Sequence, residues 1–430
     1  MNPITKTIAA AAIISATAAA QAQYHPTQQK HGHVKTLFNE TDSVAIYDEL
    51  LANAPSEFGS HVPRFAVIGK DHTFYFGIGG KVITTASYDF GHPVDDPNMF
   101  ITSEIPTGIR PGNGGRVQFS AQQTHLCLNF VGLPGTANKF GAFVSMNLLG
   151  DNYAPELQYA YVKYRGLKAG YDKTLFADPA STPPSIDYEG VNASSCLGNA
   201  ILDYSASFGK KKEWSAGVGL EMPLYSITDA DVHGAYKVNQ RVPDIPAFIR
   251  WSWDEGSGWL RLSAVMRNML YHNPFSGKNV DKVGYGFQLS GSAQVLPGLT
   301  AYYQGLYGKG TASYIQDLAG CGMDMAPSAY NPYILDTVKA WGAYGALQYD
   351  FSPSVFASAS YSHVRTYAKG CVPPSADNQY RYAQYAAGNL FWNITPILQT
   401  GVEYIYGRRV NYDGTQAHDS RLQAMLSLSF

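Results

Sequence analysis

Basic residues occupy alternate positions in apolar segments, where they could form a charged surface. Arg250 lies between Ile249 and Trp251, and Arg261 follows Leu260. Successive side chains of a strand point to opposite faces, so apolar residues on one face turn these arginines to the other. A basic face around a water-filled channel favours anions. The same pattern, together with Lys173 near the end of the predicted fifth strand, predicts further pore-lining charges at Lys81, Arg267, Arg381, Glu403 and Arg409.

An acidic, proline-containing stretch at residues 177–199 follows the predicted fifth strand. Pro183 and Pro184 stiffen it by fixing φ, and it carries Asp178, Asp187 and Glu189. Folded into a channel and opposed to a basic wall, such a loop would create a transverse field at a constriction. An ordinary external loop is the alternative interpretation.

Other kinds of chemistry find little support in the sequence. No GxSxG or HExxH spacing occurs, so we expect neither an enzyme nor a bound cofactor. His25, His31 and His33 could bind a metal, although a solvated tail is the simpler interpretation. A formal net charge of -2 argues against a general nucleic-acid partner.

The chain has four cysteines, and we expect it to be exported to an oxidising compartment, where disulfides can form. Cys321 and Cys371 both fall in Gly/Pro-rich loop stretches and could form a bridge, with pairing to Cys196 as the competing possibility. Cys127 lies inside a strand pattern and is expected to remain free. No CxxC spacing points to a metal site.

From about Thr73 onward the residues alternate with period two, which predicts amphipathic strands. In residues 283–294, Val283, Tyr285, Phe287 and Leu289 share one face and small or polar residues the other. Short turns and long loops alternate along the chain, which predicts sixteen strands, from 73–90 to 420–430. The expected long loops are 91–114, 150–154, 177–197, 225–242, 272–281, 310–335, 368–378 and 411–419.

These strands predict an all-β fold, a transmembrane antiparallel β-barrel with short periplasmic turns, long extracellular loops and one loop folded into the lumen. Closure satisfies every backbone group without water, as the bilayer requires. The last strand alternates from Leu422 to Phe430 and ends on an aromatic residue, which is typical of outer-membrane proteins. No later segment offers 18 uncharged apolar residues, so a helical membrane protein is not expected.

The N-terminus has the features of a secretion signal. Lys6 precedes the apolar run from Ile8 to Ala20, and residues 20–22 read Ala-Gln-Ala, an A-x-A cleavage pattern. We therefore expect a signal peptide at 1–22, a periplasmic N-terminal extension at 23–62 with a short helix at 43–53, and a barrel at 63–430.

Several segments resemble the DcaP-type trimeric porins. They are Leu157–Tyr164, Leu167–Pro179, Ile186–Gly190, Gly308–Leu318 and Gly401–Arg409, in that order along the chain. The chain differs from the family pattern at Gln158, at 171–173 and at Ser313, and its extension lacks sustained heptads. The resemblance implies a homotrimer of sixteen-stranded barrels in the Gram-negative outer membrane that passes small anionic solutes such as dicarboxylates.

The predicted function is therefore passive diffusion of small hydrophilic, anionic solutes through a porin embedded in outer-membrane lipid. One alternative is a structural or adhesive outer-membrane barrel with a plugged lumen. A second is a soluble secreted β-sandwich.

Overall fold

A computed structural model describes residues 43–55, 65–108, 115–227, 236–328, 330–331, 333–368 and 379–430. The predicted signal peptide, His25, His31, His33 and Cys371 lie outside these residues. Among the described residues, no helix is both long and apolar enough to span a membrane.

Sixteen antiparallel strands close into one barrel, as predicted. Its strands are β2 (Phe74–Asp89), the interrupted pair β3 (Arg116–Ser120) and β4 (His125–Gly132), β5 (Phe140–Gly150), β6 (Ala154–Tyr164), β7 (Leu167–Lys173), β8 (Gly198–Phe208), β9 (Trp214–Glu221), β11 (Ile245–Trp253), β12 (Gly258–Asn273), β13 (Lys278–Leu296), β14 (Leu299–Lys309), β17 (Lys339–Ser352), β18 (Val355–Tyr367), β19 (Tyr380–Asn393), β20 (Leu398–Asn411) and β21 (Gln416–Ser429). The short strands outside this count are β1 (Phe65–Ile68), β10 (Tyr236–Lys237), β15 (Met325–Pro327) and β16 (Leu335–Thr337).

The barrel closes where β2 pairs with β21. Lys81 lies opposite Ser429 and Asp89 opposite Arg421, and the backbones of Gly80 and Phe430 exchange two hydrogen bonds of 3.0 Å. β1 folds back on the start of β2 below this seam. No barrel edge is left unpaired at the seam, which a strand-built membrane protein requires.

Apolar and polar residues alternate between the two faces of the barrel wall. In β13, Val283, Tyr285, Phe287 and Leu289 are exposed on the outside. Gln288 and Ser290, between them in the sequence, are buried on the inside. The outer face suits lipid, and the inner face holds most of the charges of the strands.

Three of the expected long loops are tight turns, so the predicted alternation of short and long connections is only partly correct. The connections are 151–153, 274–277 and 412–415. Asn152, Gly277 and Gly414 adopt positive φ in them, which permits such sharp reversals. Polar residues assigned to loops continue the strands here, since β12 runs to Asn273, β13 begins at Lys278 and β21 begins at Gln416.

A helix, α1 (Ser43–Asn53), packs against the inner face at the end of the barrel that bears the short turns. Ile46 and Leu50 are buried against Tyr75 and Val131. Asn53 Nδ2 donates to the Oδ1 of Asn129 at 2.6 Å and to the backbone oxygen of Ala142 at 3.1 Å. Tyr161 and Lys163 both donate to the backbone oxygen of Asn53, at 2.9 and 3.0 Å. The predicted helix is therefore docked on the wall.

Candidate functional site

The loop at residues 174–197, which joins β7 to β8, is buried almost throughout. Its side chains and backbone hydrogen-bond residues from the inner faces of strands around the barrel. These partners include Gln158, Trp259, Gln288, Ser290, Gln304, Tyr344, Ser358, Ser362, Tyr385, Asn389 and Glu403. The 174–197 loop is thus held by polar side chains that the strand alternation turns away from lipid.

Glu403 is a major anchor of this loop. Its carboxylate accepts the backbone N–H of Ile186 at 3.2 Å and of Asp187 at 2.9 Å, and the hydroxyl of Ser185 at 2.9 Å. Two neighbouring wall residues also donate to it, Asn389 at 2.9 Å and Gln423 at 2.8 Å. A buried carboxylate with this many donors fixes the loop backbone, because each donor would otherwise lose its partner.

Asp187 links the 174–197 loop to the 90–108 loop and to β19. Its carboxylate accepts the backbone N–H of Phe100 at 2.9 Å and the hydroxyl of Tyr385 at 3.0 Å. Burial, and then the nearby Glu403, raise the pKa of Asp187 to about 7. The carboxyl of Glu189 is buried, and Gln316 Nε2 donates to the backbone oxygen of Glu189 at 2.5 Å. Burial raises the pKa of Glu189 well above its ordinary value.

Two further loops pack against the 174–197 loop. The 90–108 loop and the 310–328 loop meet through Asp317, which accepts the hydroxyl of Thr102 at 2.7 Å and the backbone N–H of Ser103 at 2.8 Å. Apolar residues of all three loops, including Phe100, Phe176 and Ile315, form one buried cluster with wall residues. Sequence reasoning missed this three-loop cluster. The only signal was the Gly308–Leu318 segment, noted for its resemblance and not for its packing.

Arg267 lies on the buried face of β12 between two carboxylates. Its Nε is 2.9 Å from Asp244 Oδ2 and its Nη1 is 3.1 Å from Asp324 Oδ1. Nη1 also donates to the backbone oxygen of Gly310 at 2.7 Å and to Ser313 Oγ at 3.1 Å. The side chain is completely buried. It therefore ties the 310–328 loop to the wall.

Arg250 and Arg261 are directly opposite each other on β11 and β12. Each guanidinium stacks on an aromatic residue of the other strand, Arg250 on Trp259 at 4.3 Å and Arg261 on Phe248 at 3.9 Å. The carboxylate of Asp178 in the 174–197 loop is 3.9 Å from Arg261. Its Oδ2 atom accepts hydrogen bonds from Trp259 at 2.9 Å and from Ser290 at 2.8 Å. Two cations thus share one nearby carboxylate.

Lys81 and Lys173 are both buried. Lys81 is opposite His125 on the neighbouring strand. Its ammonium makes no hydrogen bond or ion pair with a described residue. The ammonium of Lys173 is 5.7 Å from the centre of the Tyr159 ring.

Arg409 and Arg381 take different positions. Arg409 faces the 90–108 loop, where it donates to the backbone oxygen of Ser103 and, at 2.9 Å, to Asn411 Oδ1. Arg381 lies at a β-bulge between Tyr380 and Tyr382. The bulge gives the buried position to Tyr380 and brings the Arg381 guanidinium 5.8 Å from the Tyr382 ring. The bulge interrupts the alternation on which an inward Arg381 is predicted, and that position stays a prediction.

Two of the cysteines considered for a disulfide have other contacts. Cys196 donates from its thiol to Gln316 Oε1 at 2.7 Å, and the Cys321 thiol lies 3.5 Å from the backbone oxygen of Asp317. Cys371 lies outside the described residues, so its pairing with Cys321 stays a prediction. Cys127 is buried and forms no disulfide with a described residue.

A closed barrel of sixteen strands, apolar outside and charged inside, defines the class of outer-membrane channels. The porin subfamily model matches residues 134–425, and the chain belongs to that family. It is a protein of the Gram-negative outer membrane. No curated protein sequence matches the chain.

Solved structures share this fold at low sequence identity. The outer membrane channel DcaP of Acinetobacter baumannii is 18% identical, with a TM-score of 0.71 over 85% of this chain and 99% of that one. The anion-selective porin from Comamonas acidovorans is 11% identical, with a TM-score of 0.54 over 83% and 100%. Salmonella typhi OmpF, in complex with daunomycin, is 12% identical, with a TM-score of 0.52 over 84% and 99%. The predicted likeness to DcaP is confirmed at the level of fold.

Proposed function

We propose that this porin passes small hydrophilic anions, such as small carboxylates, by passive diffusion. The observation that carries the proposal is the cross-strand pair of Arg250 and Arg261 on the inner face. Like charges directly opposite each other destabilise a sheet. A pair with only one shared carboxylate, Asp178, leaves an excess of positive charge that a passing anion would neutralise.

The inner cations fall into two groups according to their partners. Arg267 is enclosed by two carboxylates and would add little field to a solute path. Among the described residues, Lys81, Arg250 and Arg261 have no comparably close ion pair, and we assign the anion preference to them. Selectivity in such channels follows from the charges that line the narrow part and from its width.

We further propose that the 174–197 loop is the constriction. Its contacts with inner-face residues of many strands support a position across the lumen. In this arrangement Glu403 holds the loop, Asp187 links it to the 90–108 loop, and Asp178 faces the arginine pair. The acidic loop and the basic wall would then create the transverse field expected from the sequence.

The likeness in fold to an anion-selective porin of Comamonas acidovorans is compatible with this proposal. We also propose that the protein assembles as a homotrimer, as the sequence resemblance implies. Crosslinking of detergent-solubilised protein should then give a ladder that ends at three chains.

A plugged barrel is the second candidate function. It is favoured by the apolar cluster in which residues of three loops pack with the wall. Such a barrel would serve as a structural or adhesive protein and would conduct no ions.

Planar-bilayer recordings test both candidates. The porin should conduct ions, and in a salt gradient its reversal potential should show anion preference. Arg250→Gln combined with Arg261→Gln should reduce the anion-over-cation permeability ratio several-fold. Lys210→Gln combined with Lys211→Gln removes the same charge from an exposed turn and should leave the ratio unchanged. Silence of the wild type at all voltages would favour the plugged barrel, and an unchanged ratio in the arginine variant would refute the basic wall.

A further inference from the structure

The outer face of the barrel carries basic residues on one group of neighbouring strands. Lys309 on β14, Lys339 on β17, Arg365 on β18 and Arg408 on β20 share the side of their strands that bears the exposed apolar residues. On these four strands no other Lys or Arg has this outward parity. We call Lys309, Lys339, Arg365 and Arg408 the outer basic belt.

The strand register brings the members of the belt together. Lys309 is directly opposite Lys339, and Arg365 is opposite Trp341, two residues along from Lys339. Arg408 is opposite Gln384, which follows the bulge that holds Arg381. Neighbouring strands are about 4.8 Å apart, so the five strands from β14 to β20 spread these cations across about 20 Å of the outer wall.

An aromatic layer marks the level of the belt relative to the membrane. The His363 ring stacks between the rings of Trp341 at 5.0 Å and Tyr382 at 5.5 Å. Trp341 donates to the hydroxyl of Tyr367 at 3.0 Å. Aromatic girdles of transmembrane barrels lie at the boundary between hydrocarbon and headgroups. The belt lies at this layer, at the barrel end opposite the short turns, and thus at the headgroups of the outer leaflet.

The outer faces of β17 to β21 carry no Asp or Glu that could balance the belt. Asp336, near Lys309, forms an ion pair with Lys282 at 3.0 Å. Arg408 donates to the side-chain oxygen of Gln416 at 2.5 Å, which supplies no negative charge. The clustered positive charge therefore calls for an anion from outside the chain.

We propose that the outer basic belt binds the phosphate groups of lipopolysaccharide, the phosphorylated glycolipid of the outer leaflet. Guanidinium groups bind phosphate oxygens with paired hydrogen bonds, and lysines add charge. The acyl chains would lie on the apolar outer face below the belt, beside residues such as Leu347 and Leu390, which are exposed. The same belt could hold inorganic phosphate, so the test separates the two sources.

The test uses the full-length protein purified in detergent and stripped of copurified lipid. Thermal unfolding is followed with added lipopolysaccharide, with dephosphorylated lipopolysaccharide and with inorganic phosphate alone. We expect lipopolysaccharide to raise the unfolding temperature of the wild type, and the other two additions to have little effect. Equal protection by inorganic phosphate or by the dephosphorylated glycolipid would overturn the assignment to lipid phosphate.

The variant Lys339→Gln, Arg365→Gln, Arg408→Gln tests the belt itself. Each cation near an anionic membrane surface is worth about a fivefold change in affinity, so the triple variant should bind lipopolysaccharide about a hundredfold more weakly. Lys210→Gln, Lys211→Gln, Lys212→Gln removes the same charge from an exposed turn and should bind like the wild type. Wild-type affinity in the belt variant, or equal losses in both variants, would overturn the proposal. Single-channel conductance of the belt variant should match the wild type and shows that its barrel has folded.

Discussion

The backbone N–H of Asp187, in the 174–197 loop, donates a 2.9 Å hydrogen bond to the carboxylate of Glu403, on the barrel wall. Two acidic residues therefore lie side by side. Two acids in this position are held by donors from the loop backbone and from neighbouring side chains. The loop therefore depends on Glu403 for its position.

Replacing Glu403 with Ala should release the part of the loop around Ser185 and Asp187. Each buried donor left without a partner costs about 1–3 kcal/mol. Amide hydrogen exchange at residues 185–187 should accelerate at least tenfold, since about 1.4 kcal/mol corresponds to a factor of ten. Gln423→Ala, which removes a single donor to Glu403, is the control and should change exchange far less. Unchanged protection in the alanine variant would show that other contacts hold the loop.

The packing of the loop should weaken as the pH rises. The folded pKa of Asp187, about 7, lies above the value of about 3.9 expected for an unfolded aspartate. Between these values the folded loop binds more protons than the unfolded one, so its stability is greatest at low pH and declines as the pH rises through about 7. Glu189, whose pKa is also raised by burial, acts in the same direction.

Hydrogen exchange of the loop at pH 5 and pH 8, corrected for intrinsic rates, measures this effect. We expect the loop to lose about 2–4 kcal/mol of local stability over this range. Asp187→Asn should reduce the slope, and a further Glu189→Gln substitution should reduce it again. A wild-type loop that becomes more stable at higher pH would contradict the prediction.

Replacing Arg267 with Met should destabilise the protein strongly. It leaves Asp244 and Asp324 buried without their common partner, and breaking a buried pair in this way costs about 3–5 kcal/mol. The unfolding temperature in detergent should fall clearly. Lys282→Gln breaks the more exposed pair with Asp336 and should cost less than about 1 kcal/mol. Similar unfolding temperatures for the two variants would exclude an anchoring role for Arg267.

The strands could be predicted because each residue faces either lipid or the inside. That constraint acts residue by residue and appears as alternation, for example around Arg261 between two exposed leucines. It fails where the backbone departs from period two, as at the bulge beside Arg381. Alternation also cannot distinguish the polar end of a strand from a loop. This explains why the connection at 274–277 was predicted to be longer than it is.

The packing of the loops could not be predicted because it depends on partners far apart in the sequence. Thr102 and Asp317 are 215 residues apart, and their contact joins two loops with no shared local pattern. The two carboxylate partners of Arg267 likewise come from separate connections. Parity predicts an inward Arg267, but only the fold shows that two carboxylates pair with it.

Helix α1 should restrict the channel at its periplasmic end, because it is docked on the inner wall through Asn53. Asn53→Ala removes the hydrogen bonds to Asn129 and to the backbone of Ala142 and should loosen this docking. We expect single-channel conductance to rise, and to rise further when residues 43–55 are deleted. Glu49→Gln breaks only the more exposed ion pair with Lys139 and should leave conductance near the wild-type value. If the deletion leaves conductance unchanged in bilayers, the helix lies beside the solute path and does not narrow it.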